Sequence, residues 1–345
     1  MNRAPSSTGR KPNRTIAAAV VGVLLLAVPA FAKEVFKLAT LAPQGSVWDT
    51  TLREMGAGWS RESASAVELR LYPGGVAGDE SDVVRKMRIG QFQGAALTVT
   101  GLSEIAPAFN LFQIPMLFES WPEVDAVLVE LRPELERRLA EKGYTLLLWG
   151  HGGWVHLFSR QPIRTIADLK SQKLFVWAGS DSQVQQWRKR GYQPVPLAAT
   201  DVTMGFQTKM IDVVPTTPIA ALTLQWFRST PYMQGLGLAP LVGGVVVQTG
   251  AWQKVDAGVR EKLAAAAREA EARLAREVPK QDAGAVEQMK ARGLQVIEIS
   301  AEQRAAWRQA AEEFARDARE GLVPPELQQA ARNAIARYRA QEKAP

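Results

Sequence analysis

Short apolar runs alternate along this chain with longer stretches whose apolar positions recur every three or four residues. The first kind predicts strands and the second predicts helices. KEVFKLATLAP reads as a short strand feeding a loop. Ser46 then stands at an N-cap, with Asp49 three residues on, before Trp48, Leu52, Met55 and Trp59 at helical spacing. Val67, Leu69 and Leu71 alternate, so VELRLYP is a strand. A glycine-rich turn follows, then a helix with Val83, Val84 and Met87 inward and a strand from Ala95 to about Thr100. FNLFQIPMLF, residues 109–118, reads as core packing. Helices are expected from about Glu123 to Lys142, with a break before Pro133, and a strand from Thr145 to Trp149.

Residues 162–226 carry the clearest β-α-β alternation, which favours a mostly parallel sheet. PIRTIADLKSQKLFVWAGS opens it. Ser180 caps a helix that Gly191 ends, YQPVPL is a strand, Thr200 to Lys209 a helix, and MIDVV a strand. Thr217 caps the next helix with Pro218 in its first turn. GLAPLVGGVVVQTGAW is a long apolar strand. A long helix from about Asp256 to Val278 carries Val259, Leu263, Ala270 and Leu274 on one face. GLQVIEIS is the last strand, and Ser300 with Gln303 forms a capping box for a helix bearing Trp307 and Phe314. Residues 323–345 form a helical, charge-rich tail. The fold class is α/β.

Several of these stretches resemble the solute-binding proteins of TRAP (tripartite, ATP-independent periplasmic) transporters, the DctP-like family. Members carry a segment of the form PIxxxxDLKGxK(I/L)RV, and Pro162, Ile163, Asp168, Leu169, Lys170, Lys173, Leu174 and Val176 match it. Pro73, Gly74, Gly75, Gly78, Glu80 and Gly90 match a YPGGQLGGE-like turn and the helix after it. Phe109, Ile114, Pro115, Leu117 and Phe118 align with another family segment, and the strand-Ser-helix ending is shared. The resemblance runs from about Val35 to Phe314. It implies a two-lobed periplasmic-binding-protein fold with a long helix spanning both lobes. Lobe I is expected over 33–155 plus 242–278, and lobe II over 156–241 plus 279–322. Implied partners are a small-molecule ligand, TRAP membrane permease subunits and a TPR periplasmic protein, to which the tail would dock.

The chain departs from the family at one telling place. The arginine that grips the ligand carboxylate in relatives is Phe175 here, and Trp154 stands where many members carry another arginine. An arginine holds a carboxylate by two parallel charge-assisted hydrogen bonds. A ring cannot, and a carboxylate buried without a cation loses several kcal/mol to desolvation. This predicts an aromatic wall of Phe175, Trp177 and Trp154 and a hydrophobic or weakly polar ligand. Phe175 and Trp177 are two apart, so on a strand they share a face, whether that face is cavity or core. Hydroxyls of Ser46, Thr98, Thr100, Thr216 and Thr217 would orient a polar group. The alternative is an organic-acid receptor with a relocated cation, from Arg160, Arg164 or Lys209. A sensor presenting ligand to a membrane kinase is a further reading. Trp226 reads as packing, and Asp79–Glu80 as a helix cap rather than a catalytic pair.

Composition narrows the classes. The 345 residues suffice for about two domains. With no cysteine there is no disulfide, thiolate nucleophile or lipid-anchored cysteine. Arg3, Arg10, Lys11 and Arg14 precede an apolar run from Thr15 to Pro29 and Ala30-Phe31-Ala32, which predicts an export signal cleaved after Ala32 and a periplasmic protein. Those four cations account for over half of the formal charge of +7. The other basic residues are interspersed with glutamates, so no nucleic-acid surface is expected. No cofactor fingerprint or hydrolase motif is present. His151 and His156, five apart in a glycine-rich loop, do not have metal-ligand spacing. The chain is expected to bind and not to catalyse.

Overall fold

A computed structural model describes residues 33–178, 181–318 and 323–342. The predicted export signal and the Ser180 cap lie outside the described residues. The strands are β1 (Glu34–Thr40), β2 (Val67–Tyr72), β3 (Gly94–Thr98), β4 (Tyr144–Ser159), β5 (Lys173–Trp177), β6 (Gln193–Leu197), β7 (Val213–Thr216), β8 (Tyr232–Gln234), β9 (Ala239–Gln248) and β10 (Gln295–Ile297). The helices are α1 (Val47–Glu62), α2 (Glu80–Arg88), α3 (Val99–Ile105), α4 (Trp121–Ala140), α5 (Ile166–Lys170), α6 (Asp181–Lys189), α7 (Val202–Gln207), α8 (Pro218–Thr223), α9 (Thr249–Lys254), α10 (Ala257–Lys290), α11 (Ala301–Ala318) and α12 (Pro325–Glu342).

The main sheet runs β2-β1-β3-β9-β4-β7-β5-β6, with β8 pairing β4 and β10 beside it. It is mixed rather than mostly parallel. β2-β1-β3 and β7-β5-β6 are parallel groups, and the antiparallel strands β9 and β4 join them. β4 makes this possible by its length. Its residues 144–155 pair with β9, and 156–159 pair with β7. The β4–β9 register shifts twice, at Leu146/Leu148 and at His151/Gly153. The second shift is where Gly153 takes φ +107°, a conformation that costs glycine little.

Helix α10 is 34 residues long, about 50 Å at 1.5 Å per residue. It continues past the expected end at Val278, through Pro279, to Lys290. Its buried stripe, Leu263, Ala267, Ala270, Leu274, Val278, Asp282, Ala285 and Met289, packs along α1, β4 and α8. Helix α4 also runs unbroken through Pro133. The carbonyl deprived of a donor there belongs to Val129, whose side chain is 78% exposed, so water can serve it. Pro107–Gln113 is a 3-10 helix whose Phe109, Leu111 and Phe112 are buried. Thr100 belongs to α3, not to a strand end. The charged tail packs one face of α12 on the protein. Its Leu327, Ala331, Ala334 and Ile335 are buried in the core that α4 also lines, and Arg339 Nε lies 2.7 Å from Glu123 Oε1.

Candidate functional site

The parallel strands β5 and β7 end at Trp177 and Thr216. One cavity of about 620 Å³ opens there, facing the turns after β1 and β3. Ligand crevices of open α/β sheets form at such strand ends. Seven of the eight predicted site residues line it: Phe175, Trp177, Thr216, Thr217, Ser46, Thr98 and Thr100.

Strand alternation decides what β5 presents. Phe175 and Trp177 share a face, their rings 5.8 Å apart edge to face, and pack with Phe206 and Trp226. Leu174 and Val176 point to the opposite face, among Trp187, Tyr192 and Trp307. The cavity touches residues from both sets. Phe175 is only 4% exposed, so it is at once core and cavity wall. Trp226, expected as packing, is buried and also lines the cavity, its indole N–H donating to the Thr203 hydroxyl at 3.0 Å.

Trp154 stands apart from the other seven. Its side chain is not among the cavity-lining residues; it stands edge-on to Trp121 at 5.4 Å and covers Gly237. The β4 register shift at Gly153 precedes it.

Three lining hydroxyls belong to helix N-caps. Ser46 Oγ accepts from Asp49 N at 3.3 Å, Thr98 Oγ1 from Thr100 N at 3.1 Å, and Thr217 Oγ1 from Ala220 N at 3.3 Å. Thr98 also gives its proton to Glu80 Oε2 at 2.7 Å. The hydroxyl protons of Ser46 and Thr217 remain available for another acceptor.

Three buried acids shape the site, and only one of their roles was expected. Asp79 caps α2, as read, its Oδ1 accepting from Glu80 N at 2.8 Å. Its Oδ2 accepts from Ala199 N at 3.0 Å. Glu80 lines the cavity and accepts three hydrogen bonds, from Thr98 N, Thr98 Oγ1 and Gly101 N, all at 2.7 Å. Burial pushes its carboxyl up to about 7, against those bonds, which favour the charged form. Asp282 reaches from α10 to accept from Trp154 N at 2.8 Å and Ile219 N at 3.1 Å. Burial pushes it up to about 6. Its sequence signal was its place on the apolar stripe of α10, eight residues after Leu274 and four after Val278.

The expected cations are elsewhere. Arg160 is held at the β7 edge by Asp212, by the Phe206 carbonyl and over the Phe206 ring. Arg164 and Lys209 do not line the cavity either. Among the described residues the cation in its lining is Arg190, just past α6, whose guanidinium lies 4.9 Å over the Phe314 ring. A cavity without a cation, expected from Phe175, is therefore not what the fold builds. No grouping of three metal-ligating side chains occurs among the described residues. His151 stacks on Trp121 at 3.9 Å and bonds Asp125, and His156 bonds the Gln234 carbonyl at 2.9 Å.

A two-ended mixed sheet, a long bracing helix and a half-open cavity at strand ends are the architecture of a solute-binding protein. Residues 38–320 match the family described as bacterial extracellular solute-binding protein, family 7, and this chain belongs to it. The family is one of receptors and not of enzymes. A solute-binding protein of Roseobacter denitrificans is 27% identical over 202 residues, covering 57% of this chain and 61% of that one. The C4-dicarboxylate-binding periplasmic protein DctP of Vibrio cholerae is 28% identical over 145 residues, covering 42% and 43%. The matched stretches thus span between two fifths and two thirds of these relatives' lengths. A TRAP periplasmic solute-binding protein of Shewanella oneidensis with bound succinate shares the fold at a TM-score of 0.81 and 18% identity, covering 88% of this chain and 100% of that one. The sugar-acid-binding protein DctPAm of Advenella mimigardefordensis, in complex with galactonate, does so at 0.82 and 16%, covering 89% and 99%. No helix among the described residues is long and apolar enough to cross a membrane.

Proposed function

We propose that this chain is the periplasmic receptor of a TRAP-type secondary transporter. Two lobes, 33–155 plus 242–278 and 156–241 plus 279–322, close on an organic acid and deliver it to membrane permease subunits. The observation that carries this reading is the cavity at the ends of β5 and β7, with Arg190 and the Ser46 and Thr217 hydroxyls in its wall. A carboxylate finds the hydroxyl donors of Ser46 and Thr217 there, near the positive charge of Arg190, whose guanidinium is itself engaged by the Phe314 ring and the Gln186 carbonyl. Relatives of this fold bound to succinate, galactonate and (S)-2-acetolactate support the acid over a neutral ligand. The rings of Phe175 and Trp177 favour a second reading, a hydrophobic or weakly polar neutral ligand.

The test is to purify the chain from the periplasm of an expression host, extract what it carries and identify it by mass spectrometry. Organic acids alone support the acid reading. Recovery of neutral lipophilic compounds alone would overturn it in favour of the second. Co-purification with a permease, rather than with a membrane kinase, supports transport over sensing.

A further inference from the structure

The cavity is large for a four-carbon acid. About 620 Å³ falls within the range of roughly 300–1,000 Å³ typical of sites that enclose drug-sized ligands. Its walls are also ring-rich. Phe175, Trp177 and Trp226 line it from one face of β5, and Trp187, Tyr192 and Phe314 belong to the other side. Against them stand hydroxyls and amides elsewhere in the wall, among them Ser46, Thr100, Thr217, Asn110 and Gln113. Thr98 has given its proton to Glu80 and does not offer it to a ligand. A sugar acid with hydroxyls along its whole length would turn several of them against these rings. Each buried hydroxyl left unpaired weakens binding by about an order of magnitude.

We propose that the ligand is an organic acid with a large apolar body, an aryl or long alkyl group, held between the ring-bearing walls while its carboxylate meets the polar donors. This rests on the acid reading above and adds the shape of the rest of the molecule. Phe175, near the end of β5, supplies apolar contact area to the cavity, and the carboxylate is left to hydroxyls elsewhere in its wall, those of Ser46 and Thr217 among them. Taking a phenyl group out of water strengthens binding by on the order of tenfold to a hundredfold.

The experiment is calorimetric titration of the exported chain, freed of bound ligand by unfolding and refolding. The probes are 3-phenylpropionate, succinate, galactonate and the neutral 3-phenylpropanol. The expected result is 3-phenylpropionate binding at least about tenfold tighter than the other three. Phe175→Ala is expected to erode that advantage by about tenfold. Circular dichroism and the thermal midpoint identify a variant that fails to fold. In that case Trp177→Ala, at a half-buried position on the same face, takes its place. Succinate or galactonate binding as tightly as 3-phenylpropionate overturns the apolar body and leaves an organic-acid receptor standing. The neutral alcohol binding as tightly as 3-phenylpropionate overturns the acid reading itself. No binding by any of the four overturns the inference.

Discussion

Asp79 and Ala199, 120 residues apart in the chain, are joined by a 3.0 Å hydrogen bond from the Ala199 N–H to Asp79 Oδ2. The other oxygen of the same carboxylate caps α2. Beside it Gly75, at φ +77°, lies so close to Thr200 that a Cβ would stand 2.7 Å from the Thr200 methyl. Gly74, Glu80, Ala199 and Thr200 all line the cavity, so this contact ties its two sides together. Asp79→Ala removes a cap worth about 1 kcal/mol together with the tie. It is expected to lower the thermal midpoint by about 2–4 °C and to speed ligand release. Asp79→Asn, which keeps one acceptor, should lie between the two. Calorimetry and stopped-flow displacement check this.

Glu80 and Asp282 give stability a pH dependence of a definite sign. Both carboxyls are raised in the folded chain, Glu80 to about 7 and Asp282 to about 6. The folded state therefore binds protons more tightly than the unfolded one. Their contribution is fully present below the unfolded values, near pH 4, and is lost as pH rises through 6 for Asp282 and 7 for Glu80. For Glu80 the span amounts to on the order of 3 kcal/mol. Glu80→Gln is expected to flatten this part of the profile between pH 4 and 7, even though it breaks one of the three accepted bonds. Urea unfolding at a series of pH values measures it.

Gly153→Ala tests the join between α10 and the site. The residue sits at φ +107°, and a Cβ there would lie 2.7 Å from Asp282 Oδ1 and 2.8 Å from the Thr217 Cβ. Strain and displacement of Asp282 act together. A loss of about 2–4 kcal/mol is expected, read from denaturant midpoints.

Trp154 and Phe175 separate scaffold from site. Trp154→Ala should lower stability by about 2–3 kcal/mol through lost packing, with ligand affinity unchanged, because its ring lies outside the cavity. Phe175→Arg places a guanidinium in the cavity wall. It is expected to raise affinity for succinate while lowering the thermal midpoint, since the position is 4% exposed. Parallel calorimetry of both variants decides the matter.

Arg339→Gln probes the docked tail. Glu123 is buried and takes one bond from Glu119 N and one from Arg339 Nε, each at 2.7 Å. Without the arginine a buried carboxylate loses its cation. Because Arg339 is itself 39% exposed, the expected cost is only about 1–2 kcal/mol. Thermal unfolding of the variant at pH 7 measures it.

Much of this protein was legible in one dimension, because the signals are local. The helix caps at Ser46, Asp79, Thr217 and Ser300 follow from side chains that satisfy backbone donors one to three residues away, and the structure shows all four. Strand alternation put Phe175 and Trp177 on one face, and family spacing pointed to the wall on which they stand. What the pattern misjudged were the places where tertiary contacts carry an element past a local stop signal: α4 through Pro133 and α10 through Pro279. The wall's composition was decided only in three dimensions. A guanidinium absent from position 175 is absent only there. Arg190, 15 residues on, lines the same cavity. Trp154, equally suggestive in the sequence, is turned away beyond a register shift. A residue's chemistry is written in its side chain, but which neighbours share its space is set by long-range packing, which no short window of sequence contains.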